Sequence, residues 1–412
     1  MRESSPSHFF GLDIGTSSVR CVIGMVDPND PGHPSIIGHG SAANIGMRKG
    51  VVVHIDDVIE SVVQAVTEAE RLSGVRIERA TVNVNGSHVT GMNSRGVIAI
   101  SAANREITPE DRFRVEEAAT IVQLPANREI IQVFAKNYRL DGQDNIKDPV
   151  GMQGVRLEVD THIVTASTPS MKSLDIVLDK ARIAATNHTV SSLAAAEAVL
   201  ARQQKESGTL LIDMGAGTTN IVVIEDGEVQ HVAVLPIGGL HITNDLAIGL
   251  RTDLDVAELV KINHATLEAS QKKGTLTVRH NEKSHTFEID DVRMITEARV
   301  EELFEFVDKE LKKIQRSRKL PGGIVLVGGT AKLPGIADFA KEKLQLAARV
   351  GELQPLGGLV DIVQDPMYAS AVGLMLLDML LVPDQDKSAA SQPNTSAFGL
   401  IDGLLKRMRS RK

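Results

Sequence analysis

The chain has 412 residues, enough for about two to four domains, and its 42% hydrophobic content is ample for packed cores. A formal net charge of −8, with 3% aromatics and no Trp, argues against nucleic-acid binding and base-stacking platforms. The single cysteine, Cys21, excludes an internal disulfide and fits a reducing compartment; the histidines are scattered without ligand spacing, so no zinc site is expected.

Residues 1–8 lack an apolar h-region and do not read as a signal peptide. Residues 8–26 are predicted to form a β-hairpin around Gly11-Leu12-Asp13-Ile14-Gly15-Thr16-Ser17-Ser18-Val19. An apolar strand ends in Asp, turns tightly through Gly and Thr, and continues as a second apolar strand. Backbone N–H groups converge in such a turn and make an anion site, and Gly lets the backbone approach a phosphate closely. The Asp at the strand end suits a Mg²⁺ ion or its water shell. Cys21 falls in the second strand and is expected to be buried and inert.

Residues 45–53 are Gly-rich and basic. Asp56 is then expected to cap an amphipathic helix through Leu72, with Val58, Val62, Val63, Ala65 and Val66 on its apolar face. Residues 79–84 read as a strand. The next segment, 87–164, reads as an inserted small α+β domain. It has strands at 97–100, 130–136 and 161–166, and a helix opened by Thr108-Pro109-Glu110, a good N-cap followed by Pro. Helices are predicted at 173–184 and 191–201, and a turn at 205–208.

The first motif then returns as Leu211-Ile212-Asp213-Met214-Gly215-Ala216-Gly217-Thr218-Thr219-Asn220. One Asp-x-Gly hairpin is common; two with matching flanks would grip a phosphate chain from both sides. Asp226-Gly227 is a further hairpin turn, and Ile237-Gly238-Gly239 opens a helix. A second insertion of helices, with a strand pair at 275–278 and 286–289, runs from about Thr243. A third glycine site follows: a buried strand, Gly328-Gly329-Thr330-Ala331-Lys332, and a helix after Pro334. Gly328 and Gly329 leave room for a flat base or a phosphate, and Lys332 is placed in the same site. The apolar stretch 371–382 carries Asp378, is too short to span a bilayer, and reads as a core helix.

Beyond Pro383 the chain changes character. Residues 384–396 are small and polar and read as a flexible linker. In residues 397–412, Phe398, Ile401, Leu404, Leu405 and Met408 share a helical face, with Lys406, Arg407, Arg409, Arg411 and Lys412 adding positive charge. This is the pattern of a helix lying in an anionic membrane interface. The other reading is a helix that docks on the folded body.

The ordered triplet of glycine sites resembles the superfamily of actin, Hsp70 chaperones and sugar kinases. Further runs narrow the likeness: Gly46-Met47-Arg48-Lys49-Gly50-Val51, Ala69-Glu70-Arg71-Leu72-Ser73-Gly74, Pro236-Ile237-Gly238-Gly239 with Asn244-Asp245-Leu246-Ala247, Tyr368-Ala369-Ser370-Ala371-Val372-Gly373-Leu374, and the tethered basic tail. With these the chain resembles, over nearly its full length, the FtsA family of bacterial cell-division proteins. The resemblance implies an α/β, actin-like, two-lobed ATPase fold with duplicated ribonuclease H-like cores, an inserted α+β subdomain 1C and a C-terminal amphipathic helix. It divides the chain into subdomain 1A (8–86, 165–205 and 362–383), 1C (87–164), 2A (206–242 and 317–361) and 2B (243–316), then the linker (384–396) and the membrane helix (397–412). It also implies ATP binding, filaments on the cytoplasmic face of the inner membrane at the septum, contact with the FtsZ C-terminal peptide, and contact with later division proteins through 1C.

In this reading Asp13, Gly15, Thr16 and Ser17 hold phosphate from one lobe, and Asp213, Gly215, Gly217, Thr218 and Thr219 hold it from the other. Asp13 and Asp213 hold Mg²⁺ through water. Glu258 and Lys261, three residues apart on a helix, match the pair that Hsp70-like proteins use for ribose, or else form a surface ion pair. Ser191 stands where the superfamily places the acid that orients attacking water. Asp13 and Asp213 are the catalytic candidates, with Glu197, the only carboxylate of that helix and one to two turns later, a weaker third, so slow turnover is expected. A pilus-assembly, PilM-like protein or a small-molecule kinase would share the hairpins without such a tail, and an MreB-like filament protein would lack the 87–164 insertion.

Overall fold

The computed structural model describes residues 7–27, 30–101, 104–268 and 274–381. The linker and the tail, including Phe398, Ile401, Leu404, Leu405, Lys406, Arg407, Met408 and Arg409, lie outside the described residues.

The first lobe is built on an antiparallel meander of β1 (Ser7–Ile14), β2 (Ser18–Asp27) and β3 (Asp30–Ala43). A short pair follows, β4 (Met47–Arg48) with β5 (Val51–Val52), then α1 (Ile55–Ser73) and β6 (Arg79–Val84), which lies parallel to β1. α1 buries Val58, Val62, Ala65, Val66 and Ala69. Its N-cap is His54 rather than Asp56, which sits in the first turn, where a negative charge suits the helix dipole. Gly38 and Gly40 of β3 carry no side chain because the Ala69 and Ala65 carbonyls of α1 lie 2.6 and 1.9 Å from where a Cβ would be.

From β6 the chain enters β7 (Thr90–Ala99), α2 (Pro109–Ala119), β8 (Arg128–Leu140), β9 (Gln143–Ile146) and β10 (Arg156–Ser167). Thr108 caps α2 in a reciprocal box with Asp111, as the Thr-Pro-Glu run predicts. Ile107, Val115, Ala119, Tyr138, Leu157 and Val159 form a separate small core.

The chain returns through α3 (Thr168–Lys180), β11 (Ala184–Val190), α4 (Ser191–Val199) and α5 (Arg202–Ser207). α3 starts earlier than predicted because Ser167 caps it and Pro169 fits its first turn. β11 fills the gap left between the two predicted helices, the first of which ends at Lys180, and pairs parallel with β6. The expected 205–208 turn is largely helix α5.

The second lobe repeats the first. β12 (Thr209–Met214), β13 (Thr219–Glu225) and β14 (Glu228–Leu235) form an antiparallel meander, and β17 (Ile324–Val327) lies parallel to β12 as β6 does to β1. Between them come α6 (Gly239–Leu250), α7 (Leu254–His264), the hairpin β15 (Thr275–His280) and β16 (Lys283–Glu288), and α8 (Ile289–Lys313). After β17 come α9 (Ile336–Leu344), β18 (Ala348–Val350), β19 (Gly357–Gly358) and α10 (Ala369–Leu381). The first sheet runs β11-β6-β1-β2-β3-β19. The second runs β18-β17-β12-β13-β14 and continues into β7-β10-β8-β9.

α10 belongs to the first lobe's core. A Cβ on Gly11 of β1 would lie 2.2 Å from Ala371 O, and one on Gly373 would lie 1.8 Å from Ala194 O of α4. Backbone therefore meets backbone on both sides of this helix. Asp378, fully buried in α10, accepts hydrogen bonds from Phe10 N (3.1 Å), Thr81 Oγ1 (2.9 Å) and Thr186 Oγ1 (2.9 Å). A buried carboxylate is tolerable when so many donors replace its water.

Candidate functional site

The two repeated hairpins close alike: Gly15 N donates to Ser18 O (3.0 Å) and Gly215 N to Thr218 O (2.9 Å). Each turn is braced by its own lobe. Asn44 Nδ2 donates to Gly15 O (2.8 Å) and Gly50 N to Thr16 Oγ1 (3.1 Å). In the second lobe Gly239 N and Leu240 N, opening α6, donate to Gly215 O (2.9 Å) and Ala216 O (2.8 Å), and Thr330 Oγ1 also donates to Gly215 O (3.1 Å). These turn carbonyls are thus consumed inside the protein, which removes negative rim dipoles from an anion site.

Between the lobes lies a cleft of about 400 Å³, the size of a small-ligand pocket. Among the predicted residues, Asp13, Gly15, Thr16 and Ser17 line it from the first lobe, and Asp213, Gly215 and Thr218 from the second. Glu258, Lys261, Gly328, Gly329 and Lys332 complete its far side. Three predicted residues are placed elsewhere. Thr219 is buried, and its hydroxyl donates to Ile237 O (2.8 Å), which ties β13 to the loop before α6. Gly217 packs against Thr16 of the opposite turn. Glu197 accepts from Lys205 Nζ (2.6 Å) and is not among the cleft-lining residues.

Asp13 and Asp213 face one another across the cleft, both buried. Burial pushes Asp13 up to about 7; Arg20 opposes this, Asp213 adds to it, and the hydrogen bond from Asn83 lowers it. Burial likewise pushes Asp213 up to about 6, against the hydrogen bond from Ser370, the charge of Arg20 and the hydrogen bond from Asn220. Two carboxyls held in this way favour a cation between them.

Sequence reasoning overlooked the groups that hold these carboxylates. Asn83, at the end of β6, donates to Asp13 Oδ1 (2.6 Å) and Ser191 Oγ (3.1 Å), and accepts from Ile14 N (2.7 Å). Arg20 Nη1 lies 3.9 Å from Asp13 Oδ2, and its guanidinium sits 5.5 Å from the Tyr368 ring centre. Ser370, at the start of α10, donates to Asp213 Oδ2 (3.2 Å). Ser191 lines the cleft with no acid in its place.

On the far side, Lys261 Nζ donates to Glu258 Oε2 (2.7 Å), Thr243 Oγ1 (2.9 Å) and Gly239 O (3.3 Å). This is a cross-braced cluster between α6 and α7 on the cleft wall, more than a solvated pair along one helix. Lys332 is ion-paired with Asp365. Gly328 has φ +87°, and a Cβ there would lie 2.6 Å from Met214 O and 2.7 Å from Asp213 Oδ1. Gly329 has space: its nearest neighbour would be Met367 Cγ at 3.7 Å. The demand for glycine therefore falls on the first residue of the pair.

Comparison with known proteins matches two family models: "Cell division protein FtsA" over residues 210–373 and "SHS2 domain inserted in FTSA" over residues 86–165. The chain is 35% identical to the cell division protein FtsA of Pseudomonas aeruginosa, over 89% of this chain and 88% of that one. It is 38% identical to that of Bacillus subtilis, over 89% and 82%. Among solved structures it resembles one of the PilM–PilN type IV pilus biogenesis complex (TM-score 0.64, 18% identity, 90% of this chain and 98% of that one). It also resembles MreB5 of Spiroplasma citri bound to ADP (TM-score 0.53, 13% identity, 90% and 96%). At these identities the structural likeness speaks for the actin-like fold.

Proposed function

The chain belongs to the FtsA family and is an actin-like cell-division protein, and from that premise we propose that it binds ATP·Mg²⁺ in the interlobe cleft and works as a membrane-bound assembly platform. In this reading it polymerises on the cytoplasmic face of the inner membrane at the septum. It anchors the FtsZ ring through the FtsZ C-terminal peptide and recruits later division proteins through subdomain 1C, residues 87–164. The subdomain boundaries read from the sequence are part of the same proposal.

The observation that carries the reading is the convergence of two duplicated Asp-Gly hairpin turns on one cleft, with their carboxylates opposed. The donor set fits a nucleotide. Arg20 Nε is buried and has no partner, Gly328 leaves backbone room, and Asp13 and Asp213 are acceptors for a cation's waters. Gly15, Thr16, Ser17, Gly215 and Thr218 would hold the phosphates, and Glu258 and Lys261 the ribose side. The cation, when bound, supplies charge that neutralises phosphate oxygens. Its protein contacts run through Asp13 and Asp213. With Ser191 where an acid would orient attacking water, turnover is slow and ATP acts mainly to close the lobes.

The test is co-sedimentation of the full chain, and of a chain ending at residue 396, with anionic liposomes, FtsZ and ATP. The full chain should pellet with the vesicles and bring FtsZ down with it. Pelleting of the shortened chain to the same extent would show that the tail is no anchor.

A further inference from the structure

We propose that Asn220 is a positioning residue that holds the hydration shell of the divalent cation on the second-lobe side of the cleft, and so fixes which way round a polyphosphate lies. This rests on the nucleotide reading above and adds a residue that the reading does not assign.

The two hairpins are duplicates, and their cross-strand registers are equivalent. Asp13 faces Arg20 across β1 and β2; Asp213 faces Asn220 across β12 and β13. Equivalent places therefore carry opposite chemistry. Both residues line the cleft, with relative exposures of 9% for Arg20 and 1% for Asn220. Each keeps one buried polar atom without a partner, Nε of Arg20 and Oδ1 of Asn220. Buried polar atoms left unsatisfied by the protein are rare and point to a missing ligand group.

The two free atoms ask for different things. A guanidinium only donates, so the free Nε calls for an acceptor, which a phosphate oxygen supplies. Asn220 turns its NH₂ towards Asp213 Oδ2 (3.5 Å), because a carboxylate is an acceptor; the atom left over is a carbonyl oxygen. A phosphate oxygen brings no proton to it. A metal-bound water does, and its protons are made better donors by the ion. Ionised Asp13 and Asp213 also only accept, so Asn220 completes an acceptor-only face, and a hydrated cation presents only donors to it. Among the described residues no group of three or more His, Cys, Asp or Glu could hold a bare ion, which favours contact through water. A neutral amide adds the third acceptor without adding charge to two carboxylates that already oppose each other. The asymmetry of Arg20 and Asn220 sorts the ligand: phosphate charge towards the first lobe, cation towards the second.

The experiment compares the full chain with Asn220→Leu and Asn220→Asp. Binding of a fluorescent ATP analogue is followed without metal, across a Mg²⁺ titration, and in competition with β,γ-bidentate tetraaquachromium(III)·ATP, whose metal-bound waters do not exchange. The unmodified chain should bind the inert complex. Asn220→Leu should require about tenfold more Mg²⁺ and bind the inert complex about tenfold more weakly, the scale of one charge-assisted hydrogen bond. Asn220→Asp keeps an acceptor but sets a third carboxylate beside Asp213; it should still bind the inert complex, whose cation offsets that charge, and should lose affinity for the metal-free nucleotide. If Asn220→Leu weakens metal-free binding as much as metal-loaded binding, or binds the inert complex as the unmodified chain does, the inference is overturned and the nucleotide reading stands. If the unmodified chain binds no nucleotide with or without metal, both fall together.

Discussion

Thr16 and Gly217 meet turn to turn across the cleft: a Cβ on Gly217 would lie 2.8 Å from Thr16 Oγ1 and 2.9 Å from Thr16 Cγ2. Thr16 is itself pinned, since its hydroxyl accepts from Gly50 N (3.1 Å). The glycine is needed because the opposing turn occupies the place of its side chain.

Gly217→Ala should therefore force the turns apart at modest cost to folding, about 1–3 kcal/mol for an overpacked contact. Affinity for a fluorescent ATP analogue should fall by at least tenfold. Unchanged affinity would show that the spacing of the turns is unimportant for binding.

The two glycines after β17 should behave differently. Gly328→Ala combines a left-handed backbone with a clash against Met214 O and Asp213 Oδ1, so it should destabilise the chain by about 1–3 kcal/mol and abolish nucleotide binding. Gly329→Ala should leave the urea midpoint near that of the unmodified chain. Equal loss of stability in both variants would contradict the geometry.

Stability should also depend on pH through the opposed carboxyls. Asp13 lies near 7 and Asp213 near 6, above the ordinary 3.8, chiefly through burial. Each therefore binds its proton more tightly folded than unfolded. Their contribution favours the fold below about pH 4 and is lost as pH rises through about 6 and 7. In metal-free buffer, the melting temperature of the unmodified chain should fall between pH 5 and 8 by more than that of Asp13→Asn. Parallel pH profiles for the two would remove the basis for this coupling.

Asp378 should be worth more to the fold than its position near the end of α10 suggests. Asp378→Ala leaves Phe10 N, Thr81 and Thr186 without their acceptor and should cost about 3 kcal/mol in urea unfolding. Asp378→Asn, which keeps one carbonyl oxygen, should cost less. A loss below about 1 kcal/mol in the alanine variant would mean that water replaces the carboxylate.

Much of this site is legible in the sequence because it is written as a repeat. The Asp-x-Gly turns, the Gly-Gly site and the Thr-Pro cap all impose local backbone rules. β11 is hidden, since Ala184 to Val190 neither alternates nor forms an apolar run; its strand character comes from lying beside β6. β3 is masked by Gly38 and Gly40, whose purpose is visible only with α1 packed on them. Arg20 and Asn220 are the instructive omission. Both fall seven residues after their Asp, and aligning the two motifs beyond the turn would have found them. Asn83 and Ser370 come from distant elements, and no local pattern announces them. The Lys205 partner of Glu197 is likewise invisible in the sequence, because helix position alone does not bring it within reach.

The contacts of Gly11 and Gly373 have a mechanical consequence. Where main chain rests on main chain there are no side chains to shear or change rotamer, so α10, β1 and α4 behave as a single casting. Just ahead of this unit the short 365–368 segment ties it to the second lobe's glycine turn: the Asp365 carboxylate accepts from Met367 N (3.0 Å) and Pro366 O accepts from Gly328 N (3.0 Å).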